Sequence, residues 1–234
     1  SLIRLNKVTG LSDIGISTIS YHTGLHTLVI AYSNTNIDLI RDNTITNISD
    51  IYRKSILGLK TINSILFRDH YAYLACGFGI VVLDIEKEEI ADTYYIGPDG
   101  SQINVYDLAF DPDGNIFAAT ESGIYRASLN SPNLADYNSW TKDPSIPHPD
   151  LSYTHIAYYA GKVFANNVHE EYDADTVFMY DGSSWQRFDA ASFSTRKNIQ
   201  VNHDRMVIAN IYNVGVYDES LTRIYFTYQP SDIG

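Results

Sequence analysis

A chain of 234 residues, 44% of them hydrophobic, is long enough to bury a substantial core as one large domain or two small ones. Its 28 Asp and Glu against 16 Lys and Arg leave a net charge of −12, which repels a phosphate backbone and argues against nucleic acid as a partner. Nineteen Tyr and nine Phe against two Met point to a β-rich fold, the single cysteine excludes an internal disulfide or a cysteine cage, and no stretch approaches the roughly 18 apolar residues of a membrane span.

The chain starts Ser1-Leu2 without a basic-then-apolar leader and reads as a trimmed piece. Residues 2–8 have strand character and are expected to serve as an outer strand that latches the last repeat. A loop with Ser12-Asp13-Ile14-Gly15 follows, then an inner strand, Ile16 to Tyr21, and the turn His22-Thr23-Gly24. The next strand ends on Leu28-Val29-Ile30-Ala31, and a polar fourth strand is expected over Thr44 to Ile51. The same order returns as Ile62 to Phe67, Tyr73-Leu74-Ala75, Cys76-Gly77-Phe78-Gly79-Ile80 and Glu89 to Ile96. It returns again as Val105 to Phe110, the turn Asp111 to Asn115, Phe117-Ala118-Ala119, Thr120-Glu121-Ser122-Gly123-Ile124 and Ser139 to Lys142. The irregular stretch 130–151, with four of the seven prolines, reads as an elaborated rim strand and loop. Two further rounds are Tyr153 to Tyr159, Val163-Phe164-Ala165 and Trp185 to Asp189, then Asn198 to Asn202, Val207-Ile208-Ala209 and Thr222 to Tyr228.

Ala31, Ala75, Ala119, Ala165 and Ala209 are separated by 44, 44, 46 and 44 residues. Four antiparallel strands per repeat of that length predict an all-β protein, a β-propeller with five four-stranded blades in one domain over 1–234. The repeats run roughly 11–56, 57–100, 101–150, 151–195 and 196–230. Small anchor residues suit strands whose two faces are both covered by neighbouring blades. The four-residue phrase of the opening loop returns as Ser231-Asp232-Ile233-Gly234, 219 residues on, which is five periods. Two expectations follow: a ring closed by five blades, or an arc of a larger propeller whose chain continues past Gly234.

Blade-like residues carry little chemistry of their own. Gly77-Phe78-Gly79 lacks the third glycine and the helix of a dinucleotide loop, since Val82 stands there and another strand follows. Asp111-Pro112-Asp113-Gly114-Asn115 has its glycine too early for a calcium loop and reads as a hairpin turn. Cys76, inside an apolar run, reads as a buried structural thiol. The acidic stretch Glu170, Glu171, Asp173 and Asp175 beside His169 is the one place where a cation is conceivable, with an exposed loop as the plainer reading. Asp107, Glu121 and His155 fall in phases that face a central channel, where propeller lyases, glycosidases and lactonases hold metals or carboxylate pairs.

The blades lack the marks of the WD repeat and instead resemble the propeller repeats of two-component-regulator sensors. More narrowly, Leu5 to Asp13, Ala31-Tyr32-Ser33-Asn34 and Ala75 to Asp84 are similar to the amino-terminal propeller of PorZ-type proteins of the type IX secretion system. That resemblance is best over 5–125. It implies a secreted protein of the bacterial cell surface or periplasm, with further domains and more than five blades, and a non-catalytic role without cofactor. The partners it implies are proteins of a surface or secretion complex, or anionic lipopolysaccharide or another glycan. The alternatives are a periplasmic sensor propeller and a propeller enzyme. The turns after the anchor strands are expected to gather Tyr32, Asn34, Phe78, Glu121, His169 and Tyr212 as a binding face.

Overall fold

In the computed structural model the described residues are 4–169, 175–188, 198–210 and 213–228. They form five four-stranded antiparallel sheets, each with its strands hydrogen-bonded in chain order, so the protein is a β-propeller of four-stranded blades with almost no helix. The chain divides into two compact units, 1–106 with 133–139, and 107–132 with 140–234.

In the first unit, blade one comprises β1 (Ile16–His22), β2 (Thr27–Tyr32), β3 (Ile37–Arg41) and β4 (Thr44–Ile48). The expected outer strand to Ile51 stops at Ile48, and a single helical turn, α1 (Asp50–Arg53), replaces its end. That turn aims Ile51 into the core and leaves its neighbours in solvent. Blade two comprises β5 (Ile62–Arg68), β6 (Tyr71–Cys76), β7 (Gly79–Asp84) and β8 (Glu89–Tyr94). Val29, Ala31, Ile37 and Leu39 from blade one meet Leu74, Cys76, Val81 and Leu83 from blade two in one buried cluster. Both middle strands are therefore apolar on two faces, as the run of apolar residues predicts. Polar latches fasten the two blades: Arg41 Nη2 donates to the Ile85 carbonyl at 2.8 Å, and His22 Nε2 lies 2.6 Å from the Asp69 carbonyl.

Residues 4–8 do not form the expected strand. Asn6 accepts the amides of Val8 and Thr9 with its side chain, and this local turn takes the donors a strand ladder would need. Leu11 beyond it packs on Tyr32, Ile30 and Ile45. In β1, Ile16, Ile19 and Tyr21 are each more than half exposed, whereas Ile62, Ile65 and Phe67 at the matching register positions of β5 pack into the cluster against blade one.

Blade three comprises β9 (Val105–Phe110), β10 (Asn115–Thr120), β11 (Gly123–Ser128) and the short β12 (Thr141–Lys142), all but the first two residues of β9 lying in the second unit. Blade four is β13 (Tyr153–Tyr159), β14 (Lys162–Asn167), β15 (Thr176–Tyr180) and β16 (Trp185–Arg187). Blade five is β17 (Asn198–Asn202), β18 (Arg205–Ala209), β19 (Asn213–Tyr217) and β20 (Arg223–Tyr228). Blades three and four share a core of Phe117, Ala119, Tyr153 and Ile156, and blades four and five share Phe164, Val177, Ile199 and Met206. Buried Asp143 ties blade three to blade four by accepting Trp185 Nε1 at 3.0 Å. Burial disfavours its charge, but the bonds from Ser145 and Trp185 outweigh that and hold the carboxyl below its usual range.

The turns repeat as faithfully as the strands. Asp181 and Asp218 each accept amides two and more residues ahead, closing the β15–β16 and β19–β20 hairpins as Asx turns. The amides of Ser184 and Ser183 lower the Asp181 carboxyl to about 2.

Register corrects one anchor. In blades one and two, the first residue paired after the inner-strand bulge is the partner of Ala31 and Ala75. In blade four the matching partner, opposite His155, is Asn166. Ala165 is one residue out of phase and packs on the blade-three side, because successive side chains of a strand point to opposite faces. The structural spacings are therefore 44, 44, 47 and 43 residues between Ala31, Ala75, Ala119, Asn166 and Ala209.

Candidate functional site

The residues expected at the binding face occupy different environments. Tyr32 is fully buried, and its hydroxyl donates to Asp38 Oδ2 at 2.6 Å. Burial, then the negative Asp38, pushes the Tyr32 phenol well above its usual range. Phe78 is buried in the first unit's core, with Tyr95 beside it at 6.5 Å between centroids. Asn34 is half-buried; its side-chain amide donates to Asp13 Oδ2, and its Oδ1 accepts the Asn36 amide at 3.0 Å. Glu121 is exposed. Tyr212, like Glu170, Glu171, Asp173 and the second Ser-Asp-Ile-Gly, lies outside the described residues.

Asn34 explains the opening Ser12-Asp13-Ile14-Gly15. Asp13 takes the Asn34 amide, and that bond, ahead of the Ile14 amide, lowers its carboxyl. The Gly15 carbonyl accepts Ser33 N–H at 2.7 Å, with Gly15 at φ +74. Ser12 N–H donates to Asp38 Oδ2 at 2.8 Å. The motif is a clasp that seats the incoming chain on the β2–β3 turn.

Asp38 is the hub of that clasp. It is fully buried and accepts from Ser12, from Tyr32 and, at 2.9 Å, from Asn47 Nδ2. Burial raises its pKa, but the bonds from Ser12, Tyr32 and Asn47 outweigh it and hold the carboxyl below its usual range. No sequence signal short of the strand register marks Asp38, since an aspartate inside a strand reads as a solvent-facing residue.

In the second unit, His169 stands edge-on to His148, with centroids 5.7 Å apart. Its amide donates to Asp175 Oδ1 at 3.2 Å, and its Nδ1 is buried without a hydrogen-bond partner. Asp175 is buried, not at the tip of an exposed loop. His155 has its pKa lowered by burial, partly offset by the charge of Asp175. Asp107, expected to face a channel, accepts the Ile156 amide at 3.1 Å and acts as a latch between blades three and four. Among the described residues, no three His, Cys, Asp or Glu form a set that could hold a metal ion.

Cys76 is fully buried, and burial pushes its thiol well up. It is expected to ignore a disulfide-exchange reagent such as Ellman's in the folded protein and to release one equivalent after denaturation. Stoichiometric reaction of the native protein would contradict this.

One feature of the first unit escaped the sequence reading. A half-open cavity of about 430 Å³ lies between the α1 segment and β7–β8. Ile51, Ile56, Phe78, Val81 and Ile90 give it apolar walls, with Asp50, Arg53, Lys54 and Thr93 also lining it. The sequence of 44–51 reads as a polar rim strand, which gives no sign of the α1 turn that brings Asp50 and Ile51 to the cavity.

The sequence pattern of the family described as the type IX secretion system PorZ N-terminal β-propeller domain matches residues 1–141. No curated protein matches the chain. Among solved structures, PorZ, an essential bacterial surface component of the type IX secretion system of Porphyromonas gingivalis, superposes with a TM-score of 0.79 at 24% identity. The match covers 96% of this chain and 28% of PorZ, so the chain spans little more than a quarter of that protein's length. The extracellular domain of a hybrid two-component system of B. thetaiotaomicron gives a TM-score of 0.67 at 13% identity, over 97% of this chain and 32% of the other. The Pan2 WD40 domain of Neurospora crassa gives 0.62 at 13% identity, over 92% and 66%. These likenesses show a propeller fold, and the pattern match over more than half its length makes the chain a member of the PorZ N-terminal β-propeller family.

Proposed function

We propose that the chain is a non-catalytic recognition and scaffold module of a secreted bacterial cell-surface protein, contributing to attachment of cargo by a type IX secretion complex. The observation that carries this reading is membership of the PorZ N-terminal propeller family over residues 1–141. The hydrogen bonds described above support it. Tyr32, Asn34, Asp38 and Asp107 are spent on holding blades and turns together, which suits a rigid platform more than reactive chemistry. The partners are proteins of the surface complex, with an anionic glycan such as lipopolysaccharide as a further ligand. Among the described residues, no helix is long and apolar enough to cross a membrane.

The test is genetic. Cells expressing the full-length protein without residues 1–234 are expected to release secreted cargo into the medium instead of retaining it on the surface. Normal retention would overturn the reading. A second reading, the sensor propeller of a two-component regulator, is favoured by the match to the B. thetaiotaomicron extracellular domain over 97% of this chain. It predicts a membrane span and a kinase or DNA-binding domain in the same gene, which sequencing of the locus decides.

A further inference from the structure

The cavity described above belongs to a larger platform. The link from blade one to blade two exposes Tyr52 (50%), Leu57 (100%) and Leu59 (58%) beside Ile51 and Ile56, which line the cavity. Large apolar side chains on a connection, next to an apolar hollow, are an expensive surface to leave in water unless something covers it.

The link is held in shape. Lys60 Nζ donates to the carbonyls of Tyr52 at 2.5 Å and Lys54 at 3.0 Å, which closes the loop on itself. Gly58 N–H donates to Gln102 Oε1 at 2.6 Å, and a Cβ on Gly58 would meet that oxygen at the same distance. A loop fixed in this way loses little conformational entropy on binding.

Charge selects the occupant. Arg53 and Lys54 line the cavity against one carboxylate, Asp50, in a chain whose net charge is −12. Neighbouring acids do not cancel them. Ile90 and Thr93 of β8 pair with Leu83 and Val81 on the cavity face, whereas Glu89 and Asp92 pair with Asp84 and Val82 on the opposite face of the blade. A volume of about 430 Å³ admits one or two large side chains. The apolar ledge of Tyr52, Leu57 and Leu59 extends beyond what one small molecule would cover.

Resting on the recognition reading, we propose that this cavity and ledge bind an extended, acidic segment of a partner protein. One aromatic or aliphatic side chain of the segment fills the hollow, and carboxylates within a residue or two of it meet Arg53 and Lys54. A central apolar anchor with a charged rim is the usual distribution of energy at a protein interface.

The probe is an acetylated tetrapeptide with a central Trp-Leu between two glutamates, titrated into the whole chain while isoleucine methyl signals are followed by NMR. Its twin with two lysines and the simple amphiphile dodecanoate complete the set. The expected result is a saturable shift of the Ile56 and Ile90 methyls with the glutamate peptide, and binding at least about tenfold weaker for the lysine twin. The doubly substituted Arg53→Glu, Lys54→Glu protein, in which only exposed side chains change, should keep its melting temperature and lose that preference. Three results would overturn the proposal: silent methyls at millimolar peptide, equal binding of both peptides, or dodecanoate binding more tightly than either. Loss of surface cargo on deletion of residues 1–234 together with silent methyls would sink the peptide site and leave the recognition reading standing.

Discussion

Replacing Gly79 by alanine is expected to destabilise the protein by about 3–5 kcal/mol, an effect on the scale of a large core deletion. Gly79 opens β7 at φ +143, a conformation an L side chain rarely adopts, and a Cβ there would lie 2.3 Å from the Tyr94 carbonyl oxygen. Backbone on the facing strand cannot give way as a flexible side chain would, so strain and clash add. Gly123 holds the matching place in blade three, at φ +84, where a Cβ would meet the Pro149 carbonyl at 2.2 Å. Gly161, at φ +76 with nothing within 4 Å, supplies the control. Its alanine variant should lose only the backbone preference, about 1 kcal/mol. Urea unfolding of both variants decides the matter. Equal losses would mean that the carbonyl contact contributes nothing.

The second large effect is expected at Asp38. Asp38→Ala removes a fully buried acceptor and strands the Ser12 N–H and the Tyr32 O–H, whereas Asn47 Nδ2 keeps Asn36 Oδ1 and the Ile37 carbonyl. A loss of roughly 3–5 kcal/mol follows from those unpaired groups. Asp38→Asn is not a rescue. If its oxygen serves Ser12 and Tyr32, its amide faces the amide of Asn47, donor against donor.

The same residue sets a pH dependence. The folded-state pKa of Asp38 is below its ordinary value of 3.8, so its stabilisation is fully present above pH ~4 and is lost as pH falls through the folded value. Asp143 shifts the same way, and Asp181 reaches about 2, so acid unfolding should be steep between roughly pH 4 and 2. Asp38→Ala should flatten the acid limb of a stability–pH profile at constant ionic strength. A parallel profile for variant and parent would contradict the role given to Asp38.

Most of the architecture was legible because strand composition, turn glycines and a period near 44 residues are local signals, and each blade repeats them. The same locality limits the reading. Tyr32 resembles an exposed aromatic in sequence; the register against β1 and the arrival of Leu11 bury it. The acidic stretch near His169 reads as solvated, yet Asp175 is buried and bound to the His169 amide. In blade four the apolar triplet ending in Ala165 reads as the anchor, but after the inner-strand bulge that blades one, two and four share, His155 pairs with Asn166, so Asn166 holds that position. A one-residue slip is invisible to composition and decisive for which face a side chain takes.

The amino acids alone thus determined the fold class, the number and order of blades in this chain, the buried state of Cys76 and the hairpin nature of Gly77-Phe78-Gly79. Those properties follow from the alternation, spacing and turn chemistry of neighbouring residues. Tertiary structure alone decided the rest: that Asp38 gathers three donors from separate segments, that Asp107 and Asp143 hold blades together, and that the link after blade one folds into α1 beside an apolar cavity. Each depends on groups distant in sequence meeting across a strand or between blades, and no local pattern encodes that distance.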